Sequence, residues 1–499
     1  MLFNSIDFLI FFPVVTALYF LLPQRLRWVL LLAASCVFYM FFIPIYILIL
    51  FVTITIDYFA GIYIEKSIGR GRVFFLSLSI VSLCAFLFSF KYFNFFNANF
   101  AAIAQFLDLH YPIPALRIIL PIGLSFHTFQ SLSYVIEVFR GNQKAERNFG
   151  IYALYVMFYP QLVAGPIERP QNLLHQFYEK HRFEPRRVVD GLKLMMWGMF
   201  KKVVIADRLA VFVNQIYDHP HDYTGIWLIL ATIFFAFQIY CDFSGYSDIA
   251  IGAARVMGFR LMQNFNRPYF ARSIAEFWKR WHISLSTWFR DYLYIPLGGS
   301  RVGPKRWYFN LFITFLVSGL WHGANWTYVA WGALNGAYLI GGIWYNRLAG
   351  PGLLSRYAKV GNLLKVLGTF GLTCFAWIFF RARSIGDALH IVGNLRRDLP
   401  RQIDYLAWVL IQFATGRENL NAQLMYGGKP LLLLSDLLLS VTLIGFLLVV
   451  QLCQRRRPLM DVLSRQPLWI RWPVYYAGIM VIGFLGAYHS AREFIYFQF

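Results

Sequence analysis

Apolar residues in this chain fall in long blocks separated by short, basic breaks. Blocks such as "FLIFFPVVTALYFLLP" and "LLLLSDLLLSVTLIGFLLVV" approach the ~20 apolar residues that carry a helix across a bilayer core. The breaks read "PQRLRW", "EKSIGRGR", "RGNQKAERN" and "QRRRP", and loops rich in Lys and Arg stay on the cytoplasmic side. Arg25 and Arg27 therefore put the end of the first span inside and the N-terminus outside. The first block has no basic n-region and no small-residue cleavage site, so it reads as a retained span. Residues 29–64 are too long for one span, and Pro44 marks the turn between two helices. Further spans are expected near 73–90, 118–139, 366–380, 431–452 and 473–488, about 11–13 in all. The C-terminus then lies on the extracytoplasmic side.

Four stretches break the simple rule. "YPQLVAGPIERP" interrupts apolar sequence with Pro160, Gly165, Pro166 and Pro170. Irregular backbone at membrane depth must be buried in protein or line a cavity, so a re-entrant segment is expected. It leads into "YEKHRFEPRR" and "KLMMWGMFKK", a cytoplasmic or interfacial surface suited to an anionic ligand. The apolar run 226–241 continues into "CDFSGYSDIAIG", where Asp242 and Asp248 are costly at membrane depth. They mark either a substrate or ion site or the caps of a helix broken at Gly245, with Ser244 and Ser247 as helix starts. Over 266–306, Trp278, Trp281, Leu285, Trp288 and Tyr292 follow a 3-4 spacing. That spacing makes one apolar stripe, while Lys279, Arg280, Arg290 and Asp291 prevent simple spanning. An amphipathic or half-inserted helix is expected there. The stretch 309–346 reads as two helices broken at "HGAN", with small residues that allow close packing.

Composition supports a polytopic membrane protein, since 59% of the 499 residues are hydrophobic and 14% charged against roughly 25% charged in a soluble domain. The net charge of +22 belongs to cytoplasmic loops; no separate basic domain suggests nucleic-acid binding. The five cysteines are scattered and form no CxxC pair, so neither a disulfide framework nor a zinc site is indicated. No HExxH or related spacing supports a metal.

Two of the ten histidines stand apart. His322 lies within the apolar string "LWHGANW", and His282 lies 40 residues earlier in "KRWHISLS". An ionisable residue at membrane depth is a functional candidate, and a neutral imidazole is the commonest general base near neutral pH. The competing reading is a packing histidine bonded to a backbone carbonyl. His127, in "PIGLSFHTFQSLSY", reads as a helix-packing or cavity-lining residue.

The strings "YCDFSGYSDIAIG", "NFNRPYFARSIAEFWKRWHISLSTWFRDYLYIPLGG" and "GLWHGANWTYVAWG" resemble the signature blocks of the membrane-bound O-acyltransferase family, in its bacterial, alginate O-acetyltransferase-like branch. The resemblance implies an all-α ring of spanning helices around a thinned core, entered by a cytoplasmic funnel. The chain is expected to divide into a catalytic core over 1–381, a segment over 382–430 that the alternation of spans puts outside although it is itself basic, and C-terminal helices with an aromatic tail over 431–499. The resemblance implies that His322 is catalytic and that His282 is the second polar position upstream. Trp321, Asn325, Asp242, Asp248 and His127 are candidates for supporting or tunnel-lining positions.

The implied location is the bacterial inner membrane, and the implied donor is acetyl-CoA, a substrate and not a bound cofactor. The acceptor is an extracytoplasmic polysaccharide, with alginate first and another exopolysaccharide, cellulose or peptidoglycan as alternatives. A periplasmic acetyltransferase of the SGNH hydrolase-like type is the implied partner. In this branch the C-terminal aromatic motif, here "EFIYFQF", implies an acyl relay on Tyr496. The bland reading of the motif is an interfacial anchor. A transporter or flippase, the rival of another class, predicts internal repeats and paired broken helices; the sequence has no evident repeat.

Overall fold

The computed structural model describes residues 1–118, 121–162, 165–348, 358–455 and 459–488. Its described elements are helices apart from one antiparallel hairpin, Gln423–Tyr426 with Lys429–Leu433. Among the described residues, six helices are long and apolar enough to cross a membrane: Pro44–Lys66, Arg70–Phe106, Gly225–Met257, Val360–Arg381, Leu434–Cys453 and Leu468–Leu485. The protein is thus an all-α polytopic membrane protein. Other helices packed among these are shorter or more polar. Ile6–Leu21 and Gln24–Met40 have 16 and 17 residues, lengths of about 24–26 Å at 1.5 Å per residue, against the ~30 Å of a bilayer core.

Hydrogen bonds tie the connections into two faces. On the near face, Arg27 donates to the His181 carbonyl at 2.6 Å and Gln176 to the Arg260 carbonyl at 2.9 Å. Arg140 there donates to the Asp291 carbonyl at 3.0 Å. On the far face, Gln402 accepts from the Ile226 amide at 2.7 Å and Thr224 meets Tyr426 at 2.8 Å. The segment 382–430 joins this face, where Asp387 meets His221 at 3.2 Å and the Arg383 carbonyl accepts from Asn325 at 3.0 Å; its helices are Ile385–Asn394 and Leu399–Ala414.

Paired glycines bring helices into backbone contact, as small residues do in membranes. Gly191 and Gly198 of Pro185–Met199 meet Gly252 and Gly245 of Gly225–Met257. A Cβ on Gly191 or Gly198 would lie 2.7 or 2.5 Å from the opposing glycine's carbonyl oxygen. Gly319 and Gly332 do the same between Pro304–His322 and Trp326–Leu348. A Cβ on Gly332 would collide with the Phe315 carbonyl and sit 3.2 Å from the Gly319 Cα. Neither obstacle is a side chain that can turn aside. Gly332→Val is therefore expected to pry this hairpin apart, costing about 1–3 kcal/mol as overpacking does. The check is the unfolding midpoint in detergent, and an unchanged midpoint would refute the close packing.

The structure departs from the sequence expectations in three places. Gly225–Met257 is one continuous helix of 33 residues with no break at Gly245; Gly245 serves close packing instead. Ser244 and Ser247 are not caps, because their hydroxyls accept from Lys201 at 2.8 Å and Asn264 at 3.2 Å. The stretch 266–306 is not one amphipathic helix. It is split into Ile274–Trp278, Ile283–Phe289 and a π-helical turn, Arg290–Tyr294. In the stretch 159–170, Tyr159–Leu162 is helical, residues 165–169 are not, and a further helix starts at Pro170. The Tyr159 and Ile167 amides donate to Ser35 and Ser284 hydroxyls at 3.1 and 3.0 Å.

Candidate functional site

His322 ends the helix Pro304–His322, and Trp326–Leu348 begins four residues later. The turn between them is tight because Gly323 packs on Tyr328, whose ring a Cβ at 323 would strike. The His322 side chain is 4% exposed. Its ring meets Trp331 at 4.9 Å and Phe380 at 5.4 Å, both edge-on.

His282 arrives from a different element. It sits between Ile274–Trp278 and Ile283–Phe289 with φ 41° and ψ 56°, the left-handed region that β-carbon residues seldom occupy. Such conformations persist where the surroundings over-determine them and cluster at functional sites. Asn264 supplies that determination. Its carbonyl accepts from the Ile283 amide at 2.9 Å, and its side chain accepts from the Ser284 hydroxyl at 3.0 Å. The imidazole, 0% exposed, is thereby held edge-on to Phe243 at 4.6 Å.

Aromatic rings link the two histidines. Phe126 lies 6.3 Å from His282 and 5.7 Å from Trp321. On the other side Trp281 lies 5.2 Å from Trp377, which stacks on Trp331 beside His322. A sheath of this kind excludes water, which strengthens any electrostatic interaction inside it.

The remaining candidates separate. Trp321 stacks on Phe129 at 4.9 Å and belongs to the sheath. Asn325 accepts from the Thr327 amide at 3.0 Å and donates to the Arg383 carbonyl at 3.0 Å, facing the far side. His127 turns to the helix Ile47–Lys66, where its Nε2 lies 3.3 Å from the Thr53 hydroxyl; its neighbour Phe126 is the one that faces His282. Asp242 and Asp248 bind lysines, Lys202 at 2.8 Å and Lys201 at 2.8 Å. Lys202 also binds Asp207 at 2.9 Å. Lys201 and Lys202 are themselves buried, so the end of "KLMMWGMFKK" is an internal ion-pair network and not a surface for an anionic ligand. The lysines neutralise the aspartates that otherwise face lipid cost. Tyr496 lies outside the described residues.

Two cavities lie on opposite faces, and the far one reaches the turn after His322 through Gly323 and Asn325. The near-face cavity, about 740 Å³, is lined by His175, Arg186, Arg187, Arg255 and Arg260 among others. Glu179, Glu184 and Asp190 line it as well, and burial holds the His181 imidazole there below its ordinary value. The far-face cavity, about 640 Å³, is lined by Lys91, Asp218, Asn325, Tyr328, Arg381 and Arg383 among others. Lys91 was missed in the sequence, although a lone cation in "FSFKYFNFF" carries the same membrane-depth signal as the histidines.

Residues 16–381 match the profile of MBOAT, the membrane-bound O-acyltransferase family. The chain belongs to this family. Both histidines, the aromatic sheath and the paired glycines lie inside the matched region. As a membrane-bound O-acyltransferase the protein is a multi-pass membrane enzyme. It is 42% identical over 391 residues, 77% of this chain and 73% of the relative, to a Pseudomonas aeruginosa protein named "Probable alginate O-acetylase AlgI". It is 34% identical over 432 residues, 79% of this chain and 80% of the relative, to the peptidoglycan O-acetyltransferase of Helicobacter pylori. A teichoic acid D-alanyltransferase of Streptococcus thermophilus is 30% identical over 236 residues, 44% of this chain and 56% of the relative.

Proposed function

We propose that this O-acyltransferase takes acetyl groups from cytoplasmic acetyl-CoA and delivers them across the bacterial inner membrane for O-acetylation of an extracytoplasmic polysaccharide, alginate before other exopolysaccharides, cellulose or peptidoglycan. The observation that carries the reading is the burial of His282 and His322 in one aromatic sheath, with the far-face cavity opening at the turn after His322. The near face is taken as cytoplasmic, and both termini as extracytoplasmic, because the basic breaks "PQRLRW", "EKSIGRGR" and "RGNQKAERN" fall on it; the far-face segment 382–430 is basic as well, with Arg383, Arg396, Arg397, Arg401 and Arg417. Four arginines against three carboxylates line the near-face cavity, a balance that favours an anionic donor. The relatives named for alginate and peptidoglycan acetylation support the acceptor class.

In the transfer an acceptor hydroxyl attacks the thioester carbonyl. His322 takes the hydroxyl proton as general base, the C–O bond forms, the C–S bond breaks, and the CoA thiolate leaves with a proton returned from the imidazolium. His282 orients or polarises the donor carbonyl. Tyr496 is the proposed first acceptor, since a phenol with an ordinary pKa near 10 forms an ester that retains much of the thioester's transfer potential. A periplasmic, SGNH hydrolase-like acetyltransferase then accepts the group, with the 382–430 segment as its docking surface.

The test feeds acetyl-labelled acetyl-CoA to the protein in vesicles and locates covalent label by peptide mass. Label on Tyr496 that is absent from His322→Ala supports donor, base and relay together. Tyr496→Phe keeps the aromatic anchor and removes the hydroxyl; it is expected to abolish polysaccharide acetylation, and wild-type acetylation in that variant would eliminate the relay. No label, together with no transfer when polysaccharide and partner are supplied, would reject acetyl-CoA as donor.

A further inference from the structure

A helix ends with carbonyls that have no intrahelical partner, and at membrane depth water does not supply one. The helix that carries His322 ends in this way inside the protein. Its Leu320 carbonyl accepts from the Tyr92 hydroxyl at 3.1 Å. Its Trp321 and His322 carbonyls both accept from the Lys91 ammonium, at 2.7 and 3.1 Å. The same ammonium lies 5.8 Å over the Trp321 ring. Lys91 and Tyr92 sit together on a π-helical turn, Phe88–Tyr92, between Arg70–Leu87 and Phe93–Phe106. Single π turns inside α-helices are rare and recur at functional sites.

The continuing helix grips the other side of the same corner. The Trp326 indole donates to the Asn99 side chain at 2.9 Å and meets the Phe95 ring at 5.5 Å. One helix therefore holds both ends of the turn that presents His322. A cation is also the charge that suits a helix C-terminus, where the macrodipole is negative. In the far-face cavity Arg381 and Arg383 are bound to Asp218 at 3.3 and 3.0 Å. Lys91 lines that cavity with its charge turned to the helix end instead.

We propose that Lys91 is a positioning residue for acyl transfer, fixing the backbone that carries His322 at the wall of the far-face cavity. The proposal rests on the acyltransferase reading of His322 given above. Lost placement costs rate more than donor affinity, because the donor enters from the opposite face.

The experiment uses the full-length protein in membrane vesicles from the cells that produce it, with acetyl-CoA as donor, the periplasmic partner and polysaccharide supplied as acceptors, and acceptor-dependent CoA thiol release as the rate, normalised to folded protein. Lys91→Met is expected to lower kcat roughly 100-fold, the effect of displacing a reacting group by about 1 Å, with KM for acetyl-CoA unchanged. Lys91→Arg, which keeps a cationic donor, is expected to recover most of the rate. Tyr92→Phe removes a neutral bond to the same helix end and is expected to lose less than Lys91→Met. Wild-type kcat per folded molecule in Lys91→Met would overturn the proposal, and so would equal losses in all three variants, which mark a merely structural cap. If Lys91→Met does not accumulate, Lys91→Gln takes its place with the same two outcomes. His322→Ala run in parallel separates the levels: full activity there removes the acyltransferase role of His322 itself. An inactive His322→Ala beside a normal Lys91→Met removes the positioning role alone.

Discussion

Replacing His322 with alanine is expected to lower the rate of acetyl transfer by about 10²–10⁴-fold, the contribution of a positioned general base. The ring is enclosed by Trp321, Trp331 and Phe380, so no solvent base can replace it. The protein should still insert, because the close approach of the hairpin rests on Gly319 and Gly332 and not on the imidazole. The measurement is labelled-acetyl transfer to polysaccharide, compared at equal amounts of folded enzyme. Retained activity would move the base elsewhere, with His282 the first alternative. His282 itself is better tested by asparagine than by alanine. Its left-handed backbone is one that Asn adopts more readily than other β-carbon residues, so His282→Asn removes the imidazole without adding strain.

Replacing Lys202 with methionine is expected to produce the largest loss of stability, about 3–5 kcal/mol, the cost of removing one partner from a buried ion pair. The Lys202 ammonium lies between Asp207 at 2.9 Å and Asp242 at 2.8 Å, and all three side chains are almost fully buried. Methionine matches the stem but leaves two carboxylates without the cation that both contact. The unfolding midpoint in detergent and the amount of folded protein in membranes read the effect. Adding Asp207→Asn and Asp242→Asn to Lys202→Met removes the uncompensated charge and should restore much of the loss. A Lys202→Met protein that melts with the wild type would show that the network contributes nothing. In this arrangement the aspartates act on architecture: they hold Gly225–Met257 against the π-helical turn Phe200–Ala206, and that helix presents Phe243 to His282.

The spans were legible in the sequence wherever apolar length sufficed. Pro44, the end of the helix at His322 and the restart at Trp326 fall where proline and small residues placed them. The non-helical backbone over 165–169 falls where Gly165 and Pro166 placed a break. The helix through "CDFSGYSDIAIG" was misread as broken for an equally local reason: serine, glycine and aspartate are cap residues when considered alone. Lysines from another helix override that preference, and no window of sequence contains both partners. The stripe over 278–292 failed similarly, because spacing cannot reveal that Asn264 turns the backbone at His282.

Composition, the blocks of apolar residues and the strings around His282 and His322 were enough to determine the class of the molecule, its membrane character and its two leading candidates. These are properties of residue type and local order, which hydropathy and periodicity report directly. Tertiary structure alone decided that two histidines 40 residues apart share one aromatic sheath, that Lys201 and Lys202 neutralise aspartates at membrane depth, and that Lys91 closes the helix ending in His322. Each of these is a contact between distant segments. Its energy comes from burying charge or carbonyl groups together, so it exists only once the helices have packed.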